Sequence, residues 1–194
     1  MGLDMYLEAE ISNYGGYDYA QKSSNEELRK EASIFNVLLF TTFGKTHSEF
    51  KEEYPEANVI RISIRVGYWR KANAIHSWFV RNAQNDVDEC QRSIVTRDQL
   101  QTLLDIAQTV RNTVSGTEEV IDNSKGFPTY SYPNFIIDSA IANRYLPTQG
   151  GFFFGGTDYD IDYVWDLDST IEQLTKVLND ERFKEAVFYY QASW

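Results

Sequence analysis

With 194 residues and 42% hydrophobic side chains, the chain is long enough to bury one core and too apolar for global disorder. A formal net charge of −11 works against direct binding to nucleic acid or to an anionic membrane, because most of the surface repels a polyanion. The same charge suits solubility, or docking on a basic protein.

A single cysteine, Cys90, excludes an intrachain disulfide and fits a reducing compartment. Its neighbours Asp88 and Glu89 are not the electropositive surroundings of a reactive thiol, so a structural role is expected. The sequence does not open on a basic segment followed by an apolar run. Its longest apolar stretch, 34–43, is too short to cross a bilayer. The expected location is therefore the cytoplasm.

Leu3, Met5, Leu7, Ala9 and Ile11 alternate with Asp4, Tyr6, Glu8 and Glu10, the period of a half-buried strand. Residues 12–22, with paired glycines, predict a loop. Ser24 and Glu27 then form a capping-box pattern ahead of Leu28, Ala32, Phe35, Leu38 and Leu39 at helical spacing, with Gly44 as the stop. After a polar stretch over 45–57, Ile60, Ile62, Ile64 and Val66 oppose Arg61, Ser63 and Arg65, predicting a second strand. Gly67 is expected to turn the chain into a helix over 68–84. Tyr68, Ala72, Ile75, Phe79 and Ala83 would form its apolar stripe, with Trp69, Asn73, His76 and Val80 along the edge of that stripe.

A short strand over 91–95 precedes Thr96 and Gln99, a second capping box, for a helix with Leu100, Leu103, Leu104, Ala107 and Val110 on one face. Residues 113–145 predict a loop-rich insertion ending in a weak helix over 134–145. A short aromatic strand is expected over 151–155. Ser169 and Glu172 predict a third helix start, with Asp166 and Asp168 as charges at its N-terminus. The last strand, over 186–193, alternates Phe188, Tyr190 and Ala192 against Tyr189, Gln191 and Ser193. Strands and helices mixed without βαβ spacing predict one α+β domain spanning 1–194. Its sheet would be antiparallel or mixed, with helices packed mainly on one face.

The chemistry-bearing signals are sparse. His47 and His76 with one cysteine give no zinc spacing. The acidic series Asp158, Asp160, Asp162, Asp166 and Asp168 lacks the glycine and the final glutamate of an EF-hand loop. No metal and no cofactor are expected. No nucleophile elbow or triad order is present, so no catalytic residue is assigned and a non-enzymatic role is favoured. One set of residues suits a ligand. Trp69, Arg70, Asn73 and His76 would share a helix edge with Gln149, Phe153 and Tyr159 from the glycine-flanked Phe loop. Stacking rings, a guanidinium and an amide are what a base and a phosphate require. The alternative is that Asn73 and His76 are satisfied boundary residues and that the Phe loop is a buried strand.

Three regions carry a resemblance: the opening Met1-Gly2-Leu3-Asp4-Met5-Tyr6-Leu7; Gly67-Tyr68-Trp69-Arg70-Lys71-Ala72-Asn73-Ala74-Ile75-His76 with Trp78-Phe79-Val80; and Leu146-Pro147-Thr148 with Gly151-Phe152-Phe153-Phe154-Gly155, Tyr159 and the closing Ser193-Trp194. Together they resemble a family of small proteins encoded in phage and prophage genomes. Residues 12–58 and 113–145 carry none of it. The resemblance implies an accessory protein of the infected bacterial cytoplasm that antagonises host defence. In the first reading it is an anti-CRISPR-like inhibitor whose acidic surface docks on a basic, nucleic-acid-binding defence effector. In the second it is a nucleotide-signal sponge or an enzyme using the Trp69–His76 edge. In the third it acts only by forming a homo-oligomer.

Overall fold

In the computed structural model, residues 2–12, 44–55, 61–124 and 127–194 are described, with Ser24, Glu26, Arg29, Asn36, Val37, Leu39 and Phe40. The capping pattern of Ser24 with Glu27 and most of the helix expected after it lie outside the described residues. The stop at Gly44 is visible. Its φ is +68°, and its N–H donates to the Phe40 carbonyl at 2.7 Å, the left-handed closure that glycine makes without a Cβ penalty.

Alternating side chains build the sheet. Strand β1 (Asp4–Ser12) runs antiparallel to β2 (Arg61–Arg70) on one side and to β6 (Val187–Ser193) on the other, and β3 (Ser93–Val95) completes the order β2-β1-β6-β3. Leu3, Met5, Leu7, Ala9, Trp69, Phe188, Tyr190 and Ala192 are buried on the inner face. Three long helices supply the facing apolar stripes: α2 (Asn73–Ala83), α3 (Arg97–Arg111) and α5 (Ile161–Asn179). The fold is α+β with antiparallel sheets.

The outer face of the sheet balances its own charge. Arg92 pairs with Glu8 at 3.3 Å and Glu10 at 3.4 Å, and Arg61 reaches Glu10 at 3.2 Å. Arg65 and Arg92 lie over the rings of Tyr6 and Tyr189 at 4.2 and 3.4 Å from the centroids.

Several expectations need correction. The chain does not become helical at Gly67. β2 continues to Arg70, and α2 begins only at Asn73, after Lys71 makes a left-handed turn at φ 60°. Gly67 instead sits at a β-bulge, where the register shifts between Leu7 and Glu8. A Cβ there would lie 3.0 Å from the Leu7 Cβ and 3.0 Å from the Trp69 ring, so the glycine gives room rather than a turn. Tyr68 and Trp69 suit either period, and pairing with Tyr6 and Met5 decides for the strand. Gln173 of α5 then closes that edge, accepting from Tyr68 N–H at 2.6 Å and donating to its carbonyl at 3.0 Å.

Residues 151–155 form no strand. Phe153 has φ 67° and Gly155 φ 94°, so the segment is a tight loop. Ser169 and Glu172 do not start a helix, because α5 begins eight residues earlier at Ile161 with Asp160 as its cap. Asp166 and Asp168 therefore lie inside α5 and not at its N-terminus. The capping box at Thr96 is formed, with Thr96 N–H to Gln99 Oε1 at 2.8 Å and Gln99 N–H to Thr96 Oγ1 at 3.1 Å.

The polar stretch after Gly44 holds a short helix, α1 (His47–Glu53), opened by the same kind of exchange between Thr46 and Glu49. Within 113–145 lie a hairpin, β4 (Val120–Asp122) with β5 (Thr129–Ser131), and α4 (Ser139–Tyr145). Buried Ala142 of α4 and Leu146 just after it tie this region to the core. Among the described residues no helix is long and apolar enough to cross a membrane.

Candidate functional site

Asp160 opens the site. Its carboxylate accepts from the N–H groups of Asp162 and Tyr163 at 3.1 and 3.2 Å, which satisfies orphan donors of α5 and places a negative charge where the helix dipole favours it. The first two turns of α5 then carry Asp162, Trp165 and Asp166 toward one side and bury Tyr163, Val164 and Leu167. Opposite them runs the chain from Arg70 to Ala74. Between the two lies a groove of about 360 Å³, lined by Asp158, Asp160, Asp162, Asp166 and Trp165 together with Arg70 and Lys71.

Charge in this groove is left unpaired, unlike that on the later turns of α5. Asp168, one turn from Trp165, pairs with Arg111 at 2.6 Å, Glu172 pairs with Lys176 at 2.6 Å, and Asp180 pairs with Arg182 at 2.6 Å. Asp158, Asp162 and Asp166 make no ion pair with any described residue, and neither do Arg70 and Lys71. Burial, and then the nearby charges of Asp162 and Asp160, push the Asp166 carboxyl up to about 7. No group of three His, Cys, Asp or Glu side chains among the described residues is arranged to hold a metal ion. Trp165 is 54% exposed and meets Tyr132 of the 113–145 region edge-to-face, 6.4 Å between ring centres. Tyr132 in turn donates to Glu119 at 2.8 Å, bringing a further carboxylate to the same side.

The ligand set expected from sequence is divided by the fold. Arg70 and Asn73 line the groove. Trp69 points into the core from β2 and donates its indole N–H to Thr170 Oγ1 of α5 at 2.9 Å. His76 is 0% exposed. Its Nε2 lies 2.9 Å from Asp88 Oδ2 and its Nδ1 2.7 Å from the Tyr190 hydroxyl. Burial, with Asp88 and Cys90 nearby, pushes the Tyr190 phenol well above its ordinary range. Tyr190 therefore keeps its proton, and the ring is held between this phenol at Nδ1 and the Asp88 carboxylate at Nε2. Asp88 also accepts from the Trp194 indole at 3.1 Å. This chain of bonds joins the core to the end of β6 and contains no solvent-reachable imidazole.

Asn73 is 5% exposed and acts as a clamp on the Phe loop. Its Nδ2 donates to the carbonyls of Phe154 at 3.2 Å and Gly156 at 2.6 Å, and its Oδ1 accepts from Gln149 N–H at 2.9 Å. Gln149 thus enters only through its backbone, as a partner of Asn73, and does not line the groove. Tyr159 is half-buried, donates to Asn143 at 3.2 Å and packs edge-to-face on Tyr163. Phe153 faces outward from the loop. Sequence reasoning passed over Trp165 and Lys71, and it weighed the series Asp158, Asp160, Asp162, Asp166 and Asp168 only as a calcium loop and as helix-end charge. Recognising Asp160 as the N-cap would have placed Asp162, Trp165 and Asp166 on the first turns of one helix, with Asp158 just ahead of it. No family description, curated protein or solved structure matches this chain.

Proposed function

We propose that this chain is a binding protein that docks a basic partner protein through the carboxylate groove and the exposed Trp165 beside it. The observation that carries this reading is local. Acidic side chains on the rest of α5, and Glu8 and Glu10 on the outer sheet face, have cationic partners, whereas Asp158, Asp162 and Asp166 cluster without one among the described residues. A lysine or arginine side chain entering the groove would meet these carboxylates and the face of an indole, favourable through charge and through the ring quadrupole. Together with the net charge of −11 and the phage-family resemblance, this suits an inhibitor that occupies the nucleic-acid channel of a bacterial defence effector.

Its test is binding and inhibition against purified RNA-guided nucleases and other basic defence effectors, at 50 and 300 mM salt. A salt-sensitive complex weakened about tenfold by combined Asp158→Asn, Asp162→Asn and Trp165→Ala substitutions supports the reading. Absence of any salt-sensitive complex contradicts it.

A second reading, a nucleotide ligand, draws on Arg70 and Lys71, which line the same groove and make no ion pair with a described residue. Its phosphates would sit there and its base against Trp165, with the facing carboxylates opposing the phosphates. Thermal-shift screening against nucleotides tests it. A shift abolished by Arg70→Ala supports the nucleotide, and no shift with any nucleotide removes it.

A further inference from the structure

The loop forming the end of the groove is built around a buried plug. Phe154 is 5% exposed, packs edge-to-face on His76 at 5.2 Å and on Trp194 at 5.9 Å, and closes a turn by donating its N–H to the Gly151 carbonyl at 3.2 Å. Any side chain at Gly151 would collide with the Phe154 ring, since a Cβ there would lie 2.4 Å from it. Asn73 fixes the backbone on either side of the plug, at Gln149 and at Gly156. The consequence is unusual for an apolar pair. Phe152 is 82% exposed and Phe153 48% exposed, their ring centres 4.1 Å apart, and Phe153 is held at φ 67°. A bulky residue in the left-handed region is strained and persists only where its surroundings over-determine it. Here strain, clamp and plug all act to hold two phenyl rings out in water, where the hydrophobic effect opposes them.

We infer that the Phe152–Phe153 tip is the apolar anchor of the same docking surface, entering an apolar pocket on the basic partner while the partner's cations face Asp158 and Asp162. The inference rests on the reading of the groove as a site for a basic protein. Charge complementarity selects the occupant. Gly155 and Gly156, at the base of the tip, line the carboxylate groove, so the phenyl rings and the groove belong to adjoining parts of one loop. A rigid aromatic pair beside a polar, charged rim is the arrangement of an interface hot spot, and fixing it in advance lowers the entropy cost of docking.

Two synthetic peptides of equal positive charge test this, one of lysine and glycine, the other of lysine and leucine, titrated into the native protein and into Phe152→Ser. Phe152 lies outside the core, so the variant is expected to keep the native Tm. The inference predicts that the leucine peptide binds at least tenfold more tightly than the glycine peptide. It also predicts that Phe152→Ser removes this advantage while leaving the glycine peptide unaffected. Equal binding of both peptides, or an advantage that survives Phe152→Ser, overturns the anchor and leaves the acidic groove standing. Binding of neither peptide removes both. Vesicles of phosphatidylcholine, with and without phosphatidylserine, and light scattering of the protein alone form the remaining arms. Partitioning or self-association that requires Phe152, with no leucine advantage, would assign the tip to a lipid surface or to a second copy and overturn the inference.

Discussion

Asp166 is the residue whose energetics depend most on its surroundings. Its carboxyl is pushed up to about 7 by burial and by Asp162 and Asp160. The folded state therefore keeps a proton that the unfolded chain loses near pH 4, and stability falls as pH rises from about 4 to about 7. Asp166→Asn removes that fall. It should leave stability at pH 4 unchanged and raise it at pH 8 by about 2 kcal/mol, after allowance for solvent screening. Denaturant titrations at the two pH values measure this. A cationic partner favours the ionised form, so its affinity should rise between pH 6 and pH 8.

His76 makes the opposite case, a titratable side chain with a structural task. His76→Ala leaves the buried Tyr190 hydroxyl without its partner and should cost about 3 kcal/mol in urea unfolding. The placement of Asn73 and His76 one turn apart was legible in the sequence. What they touch was not, because Asp88, Tyr190, Gln149 and Phe154 come to them only through the fold.

At the scale of elements, local patterns succeed where one period or one partner is possible. β1 and β6 alternate cleanly and form as expected, because a one-residue slip would turn their apolar rows to water. The Ser-x-x-Glu pattern is less decisive. Thr96 and Gln99 make a true cap, while Ser169 and Glu172 lie inside α5 and bond to the next turn instead, Gln173 donating to Ser169 at 2.8 Å and Lys176 to Glu172 at 2.6 Å. Thr96→Ala should therefore cost about 1 kcal/mol in thermal or chemical unfolding, and Ser169→Ala only a few tenths. Gly67 shows the same ambiguity in a strand, since a glycine followed by two aromatics fits a turn or a bulge. Gly67→Val should destabilise by about 2 kcal/mol, because its side chain would displace Leu7 or the Trp69 ring. A variant as stable as the native chain would contradict the bulge.

For the molecule as a whole, two surfaces differ in how their charge is paired. The outer sheet face neutralises itself through Arg61 and Arg92, so its carboxylates offer little to a partner. The side that joins the start of α5, Tyr132 with Glu119, and the Phe loop keeps its negative charge and exposes Trp165, Phe152 and Phe153. Net charge alone predicted a basic partner without saying where it would dock. The most direct test of the location is a two-dimensional NMR titration with a lysine–glycine peptide, followed at the four tryptophan indoles and the backbone amides. The account predicts that the Trp165 indole and the amides of 158–166 shift together, that the buried Trp69 and Trp78 do not, and that 300 mM salt suppresses the shifts. Shifts concentrated on the outer sheet face around Glu8 and Glu10, with Trp165 unmoved, would contradict it.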